Sequence, residues 1–308
     1  QEKRSPNLEA GSEYVMTPRA QKLSVRTALP LADVAVKGWV MFMHGYCAHS
    51  SRPVHAHLAP AFCQAGYGYI TFDFHGHGRS EGERAFVDDP YDLVDDALSV
   101  LLALHGDDAA HLHNNTGQSN RLLGTQSSLH AKIPASSTAP IYLVGHSMGG
   151  GAALLTGTAL QKGGSLTPFG QDNATALQRI AHNFGGAMLF CPLIDIGLPP
   201  ILKQVFVAPL LCCFPGSTLP AFLSKSGDGD VKIWATQTYR DYAAADQWPA
   251  NPAGLSYGGN MYLSTLHSFL TMSEQIGALL PEVRVGCGLG GVPCECPPID
   301  MRHATWYA

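Results

Sequence analysis

Ser147 stands in Gly145-His146-Ser147-Met148-Gly149, a spacing in which a serine hydroxyl can be presented as a nucleophile. Context carries more weight here than the pentapeptide. Ile141-Tyr142-Leu143-Val144 before it is an apolar run of strand length, and Ala152-Ala153-Leu154-Leu155 after it opens a helix. A strand that turns directly into a helix bends so sharply that side chains two residues before and two after the serine have no room, hence Gly145 and Gly149. The hydroxyl is then exposed at the tip of a sheet, with the backbone N–H groups that open the helix facing incoming negative charge. The competing reading is a glycine-rich turn with an incidental serine, and the flanking strand and helix weigh against it.

The elements that must position this serine alternate along the chain. Residues 23–28 and 34–43 read as strands, the second ending in His44-Gly45-Tyr46, where a glycine lets backbone pass close to a neighbour. A helix over about 54–64 closes at Ala65-Gly66, and 69–73 is another short buried strand. Strand, helix, strand predicts parallel pairing. A further helix starts with Asp89 as cap and Pro90 at its first position, with Tyr91, Val94, Leu98, Leu101 and Leu104 on its core face. Residues 188–191 read as one more buried strand. Residues 105–139 lose periodicity and read as a disordered surface insertion, and 161–173 as a second polar insertion.

Three motifs now stand in order: His44-Gly45, then Asp73 through Gly76-His77-Gly78 to Ser80 and Gly82, then Gly145 through Gly150. Together they resemble the α/β-hydrolase superfamily, and within it the monoacylglycerol lipase and lysophospholipase branch, which includes the serine aminopeptidase-like hydrolases. Arg84 after the glycine loop fits the same branch, and the likeness runs from about residue 35 to about residue 285. The resemblance implies an α/β-hydrolase fold, a mostly parallel sheet with flanking helices and an apolar helical cap. It also implies that Ser147 attacks an acyl ester while the backbone N–H groups of Tyr46 and Met148 hold the oxyanion. Two such donors matter, because losing one typically costs about 3 to 4 kcal/mol of transition-state stabilisation. His44, His75 and His77 read instead as loop-holding groups, since a base in this fold follows the serine in chain order.

After residue 191 the composition changes. Between residues 196 and 224 Lys203 is the only charged residue, and five prolines break the apolar run into short helices. In the family this position holds the cap, so 192–260 reads as a cap that lines an acyl channel or touches a membrane surface. The alternative is that these side chains simply pack cap to core. A helix returns over 260–280, with His267 expected to border the pocket, and 261–285 approaches the next core strand. The tail, 286–308, departs from the family pattern: ten of the thirteen residues 286–298 are Gly, Cys or Pro, so a buried strand cannot be written there. The expectation is an unstructured tail, missing last strands and a triad acid and base that remain unassigned. Asp300 and His303 lie too close together to come from two strand ends.

Composition sets the outer bounds. Nineteen basic against 24 acidic residues, a net charge of −5, and no basic cluster exclude a nucleic-acid partner, while 45% apolar residues suffice for a core over 1–191. No metal or cofactor is expected: His111, His113 and His130 lack supporting ligands, and Cys287, Cys294 and Cys296 lack a fourth. Cys47, Cys63, Cys191, Cys212 and Cys213 read as small core hydrophobes, which with a polar start lacking a signal-peptide run predicts a cytoplasmic protein, peripheral on membranes through its cap. Three functions stand: a serine ester hydrolase of monoacylglycerols, lysophospholipids or similar acyl esters; an inactive truncated or frameshifted form, or a lipid-binding non-enzyme; and a serine peptidase of small substrates.

Overall fold

The computed structural model describes residues 13–31, 34–105, 138–196 and 236–282, together with 201, 205, 207–214 and 216–220. Six strands form one sheet: β1 (Glu13–Met16), β2 (Lys22–Ala28), β3 (Gly38–Met43), β4 (Tyr67–Phe72), β5 (Ile141–His146) and β6 (Phe184–Phe190), in the order β1-β2-β4-β3-β5-β6. Strands β4, β3, β5 and β6 run parallel, as the strand-helix alternation predicts, and β1 and β2 add an antiparallel margin. The crossovers are α1 (Val54–Gln64), α2 (Pro90–Leu104) and α3 (Met148–Gln161), followed by α4 (Pro168–Asp172) and α5 (Ala174–His182). Beyond β6 lie α6 (Ala208–Cys213), α7 (Gln237–Ala245), a two-stranded pair of β7 (Gln247–Trp248) and β8 (Ser256–Tyr257), and α8 (Leu263–Leu279).

Strand alternation divides the core between the two sheet faces. On β3, Met41 and Met43 join the larger cluster with Leu98 and Leu101 of α2 and Leu155 of α3, whereas Val40 and Phe42 pack with Ala59 and Cys63 of α1. Helix α2 begins as its sequence requires: Asp89 accepts from the Tyr91 N–H at 2.8 Å and Pro90 takes the first turn, where its missing N–H costs nothing.

Several expectations need correction. Strand β3 begins at Gly38 rather than 34, with a last backbone bond from Lys37 N–H to Gly66 O (2.8 Å) just ahead of it. Strand β6 exists but is not buried: Met188 is 56% and Phe190 48% exposed, since β5 pairs one edge and no described strand pairs the other. The polar stretch 161–173 is folded, with Thr167 capping α4 through Gly170 N–H (2.9 Å), and it leads into α5, whose Ala176, Leu177 and Ile180 are buried. Leu280–Glu282 form a 3-10 turn on the end of α8, and the rest of the expected approach to the next strand, 283–285, lies outside the described residues. Cys47 and Cys63 are buried as expected, but Cys191 and Cys213 are exposed. The expected insertion, but for its ends, and the tail 286–308 with Asp300 and His303 lie outside the described residues.

Candidate active site

Ser147 sits between β5 and α3 at φ 53° and ψ −119°, a left-handed conformation that costs a non-glycine residue on the order of 1 to 3 kcal/mol. The neighbouring glycines make the bend feasible. A Cβ on Gly145 would run into the Gly149 carbonyl, and one on Gly149 into the carbonyls of Met43 and His44. The bend is held from outside as well: Ser147 N–H donates to Phe190 O at 3.0 Å, and Leu193 N–H donates to Ser147 O at 2.8 Å.

Beside the serine opens a cavity of about 320 Å³. Tyr46, Cys47, Ser147 and Met148 line it from the two loops, and Leu193, Ile196, Met261, Leu266 and Phe269 from the segments that follow. Two of these residues carry a nucleophilic atom on positive-φ backbone, Ser147 and Cys47, but only Ser147 stands at the strand-to-helix bend, and the far wall is apolar. Neither the Tyr46 nor the Met148 backbone N–H has a hydrogen-bond partner among the described residues. The two residues named for the oxyanion are therefore brought to one cavity with Ser147. The Tyr46 side chain cannot swing, because its hydroxyl donates to Ala85 O at 3.0 Å and its ring meets Phe269 edge-on at 5.2 Å. Burial pushes its phenol far above the ordinary range, so it stays neutral.

The histidines of the preceding loops hold backbone. His44 accepts from Phe74 N–H through Nε2 (3.0 Å) and donates through Nδ1 to Gly45 O (2.8 Å), and burial depresses it to about 3. His77 pairs with His75 O at 2.8 Å and is likewise pushed down to about 3 by burial. His75 contacts the buried Asp96, which Arg19 also meets. Asp73 stitches the loops together, accepting from Ser50 N–H (2.5 Å) and Arg79 N–H (2.8 Å), while Gly78 at φ +52° leaves room for that carboxylate. Arg84 donates to Gly78 O at 2.5 Å.

No described imidazole or carboxylate lines the cavity, and none bonds the Ser147 hydroxyl. His267, the α8 residue that the sequence puts at the pocket border, is not among the residues that line the cavity; Leu266 and Phe269 of the same helix are. Among the described residues no group of three His, Cys, Asp or Glu could share a metal ion, and no helix is long and apolar enough to cross a membrane.

A mostly parallel sheet ending in a glycine-framed, strained serine at a strand-to-helix bend is the α/β-hydrolase fold. Comparison with known proteins agrees. The family model for serine aminopeptidase, S33, matches residues 34–127. The monoacylglycerol lipase of Mycolicibacterium smegmatis is 30% identical over 125 residues, 41% of this chain and 34% of that protein. The caffeoylshikimate esterase of Arabidopsis thaliana is 34% identical over 85 residues, 28% of this chain and 25% of that protein. The aligned parts thus span only about a third and a quarter of these relatives. A solved lipase in its open form superimposes with a TM-score of 0.56 at 16% identity, covering 86% of this chain and 73% of that one, which supports the fold alone. Over these segments the chain is similar in sequence to the serine aminopeptidase S33 model and to a monoacylglycerol lipase.

Proposed function

We propose that the chain is a serine ester hydrolase for monoacylglycerols, lysophospholipids or similar small acyl esters, with Ser147 as nucleophile and the Tyr46 and Met148 N–H groups as oxyanion donors. The observation that carries this reading is that a positive-φ Ser147 lines one cavity with Tyr46 and Met148, whose N–H groups have no hydrogen-bond partner among the described residues. The Ser147 oxygen adds to the ester carbonyl carbon, and the carbonyl electron pair becomes an oxyanion facing the two N–H groups. Collapse expels the alcohol and leaves an acyl-serine, which water then cleaves to the acid and free serine. The base that takes the serine proton is not assigned to any described residue. The apolar wall suits an acyl chain better than a charged peptide end, and the names of the curated relatives, a monoacylglycerol lipase and an esterase, point the same way. Residues 192–260 would serve as the cap, with exposed Ile201, Val205, Leu210 and Phe214 as a peripheral membrane contact.

The test compares a graded series of monoacylglycerols, a lysophospholipid and an aminoacyl amide on the chain and on Ser147→Ala. Turnover of monoacyl esters lost in Ser147→Ala supports the proposal, and preference for the amide overturns the substrate class. One observation favours a second reading, a lipid binder without catalysis: no described acid or base lines the cavity. In that case a fatty monoester binds equally to both proteins and neither cleaves it.

A further inference from the structure

The loop that carries the Tyr46 amide is fastened to a distant segment. His49, three residues after Tyr46, has a side chain only 1% exposed, and its Nε2 lies 2.7 Å from Asp246 Oδ2, 197 positions along the chain. Its protonation is fixed by its other nitrogen. Nδ1 accepts the Ser51 N–H at 3.1 Å, and a backbone amide can only donate, so Nε2–H is the donor in the hydrogen bond to the Asp246 carboxylate. With both nitrogens engaged, His49 is not free to act on Ser147.

Asp246 is built to receive this bond. It follows α7 at the entry to β7, and its carboxylate also accepts from Ser256 Oγ at 2.6 Å and Leu255 N–H at 3.1 Å. Burial alone would raise its pKa, but the His49 and Ser256 hydrogen bonds hold it at about 2. Two further straps join the same segments: Arg52 donates to Ser256 Oγ at 3.1 Å, and Tyr257 N–H to Cys47 O at 3.3 Å. Cys47, at φ 62°, packs in one cluster with Ala85 and Tyr257, and Tyr46 and Trp248 lean against it. Residues 47–52 are thus tied to 246–257 at three points, one residue beyond the amide in question.

We infer that Asp246 is a positioning residue: through His49 it fixes the turn that aims the Tyr46 N–H at the cavity, so the 246–257 segment sets the oxyanion site. The inference rests on the proposed roles of Ser147 and Tyr46. An amide displaced by a fraction of an ångström from the developing oxyanion loses most of its effect, whereas the serine itself is held independently through Phe190 and Leu193. Removing the Asp246 acceptor should therefore loosen one loop and spare the other.

The experiment uses the full chain with Asp246→Ala, His49→Ala and Asp246→Asn, whose amide oxygen can still accept from His49. Three readouts are taken: amide hydrogen exchange over residues 46–51 and 141–155, the rate of fluorophosphonate labelling at Ser147, and ester kinetics. Asp246→Ala and His49→Ala should speed exchange at 46–51 but not at 141–155 and slow labelling roughly tenfold to a hundredfold. Ester turnover should fall in kcat with KM little changed, because the oxyanion contact belongs to the transition state. Asp246→Asn should largely restore all three. Unchanged exchange at 46–51 in Asp246→Ala, or an equal loss across both segments with labelling falling only as the folded fraction falls, overturns the inference. No Ser147 labelling in the unaltered chain overturns the functional reading and the positioning role with it, and the exchange result then still separates that failure from a loop that ignores Asp246.

Discussion

Ser147 N–H donates to the carbonyl of Phe190 at 3.0 Å, so the end of β6 is bonded to the residue at the bend rather than only to its neighbour strand. The left-handed backbone at Ser147 persists because this bond, the return from Leu193 and the close glycines leave it no alternative. Replacing the strained residue should therefore separate stability from chemistry. Ser147→Gly is expected to be more stable than Ser147→Ala by about 1 kcal/mol, because only the former relieves the positive φ. Urea unfolding of the two variants measures the difference, and equal midpoints would mean that the bend stores no strain.

The glycines make a matched pair of predictions. Gly149→Ala should destabilise the fold by roughly 1 to 3 kcal/mol or more, since its methyl group would meet the carbonyls of Met43 and His44, which belong to backbone and cannot yield cheaply. Gly277→Ala should stabilise it by roughly 0.5 to 1 kcal/mol, because Gly277 is exposed within α8 and nothing lies within 4 Å of the added methyl. Denaturant midpoints at matched slope test both signs.

The buried histidines should weaken the protein as pH falls below about 6.5. His44 and His77 are depressed to about 3 and His55 to about 4, from an unfolded value of 6.5, each chiefly by burial. Between these limits the unfolded chain binds protons that the folded chain refuses, so stability is full above about pH 6.5 and falls as pH drops through the window. At pH 5 each group should cost roughly 2 kcal/mol. His55, whose Nδ1 lies 2.7 Å from the Tyr69 hydroxyl, is the simplest to replace. His55→Gln should flatten the pH dependence of the unfolding midpoint between pH 7 and 5.

Asp95 works in the opposite sense. Burial raises it to about 6 against the hydrogen bond from Thr167, so between about pH 4 and 6 the folded state holds a proton that the unfolded state releases. Its contribution therefore falls as pH rises through that window. Asp95→Asn should raise stability at pH 7 by on the order of 1 to 3 kcal/mol and leave it nearly unchanged at pH 4. No gain at pH 7 would mean that the ionised carboxylate is better solvated than its surroundings suggest.

The membrane contact is tested on the side chains that the fold leaves outside. Val205 is 53% and Phe214 59% exposed. Val205→Asp with Phe214→Asp should weaken association with neutral phospholipid vesicles while leaving the thermal midpoint in place. Unchanged sedimentation with vesicles would remove these residues from the contact.

Much of the frame was legible because its signals are local. Asp89 and Pro90 state where α2 starts, Ala65 and Gly66 where α1 stops, and the glycines around Ser147 state the bend that later positions the serine. What failed was non-local. Met188-Leu189-Phe190 reads as buried because an apolar run reports its capacity to pair and pack, not whether a neighbour covers it. Helix α5 did carry a signal, apolar residues at 176, 177 and 180, but it hid behind the polar stretch before it. The His49–Asp246 bond had none, since no spacing rule joins residues so far apart.

The central claim is that Ser147 is the nucleophile, and site-mapped labelling tests it most directly. The chain is treated with a fluorophosphonate, digested, and the modified peptide identified by mass spectrometry beside a Ser147→Ala control. The account predicts one adduct, on the peptide containing Ser147, absent from the control. An adduct on another residue, or labelling that persists in Ser147→Ala, would contradict it.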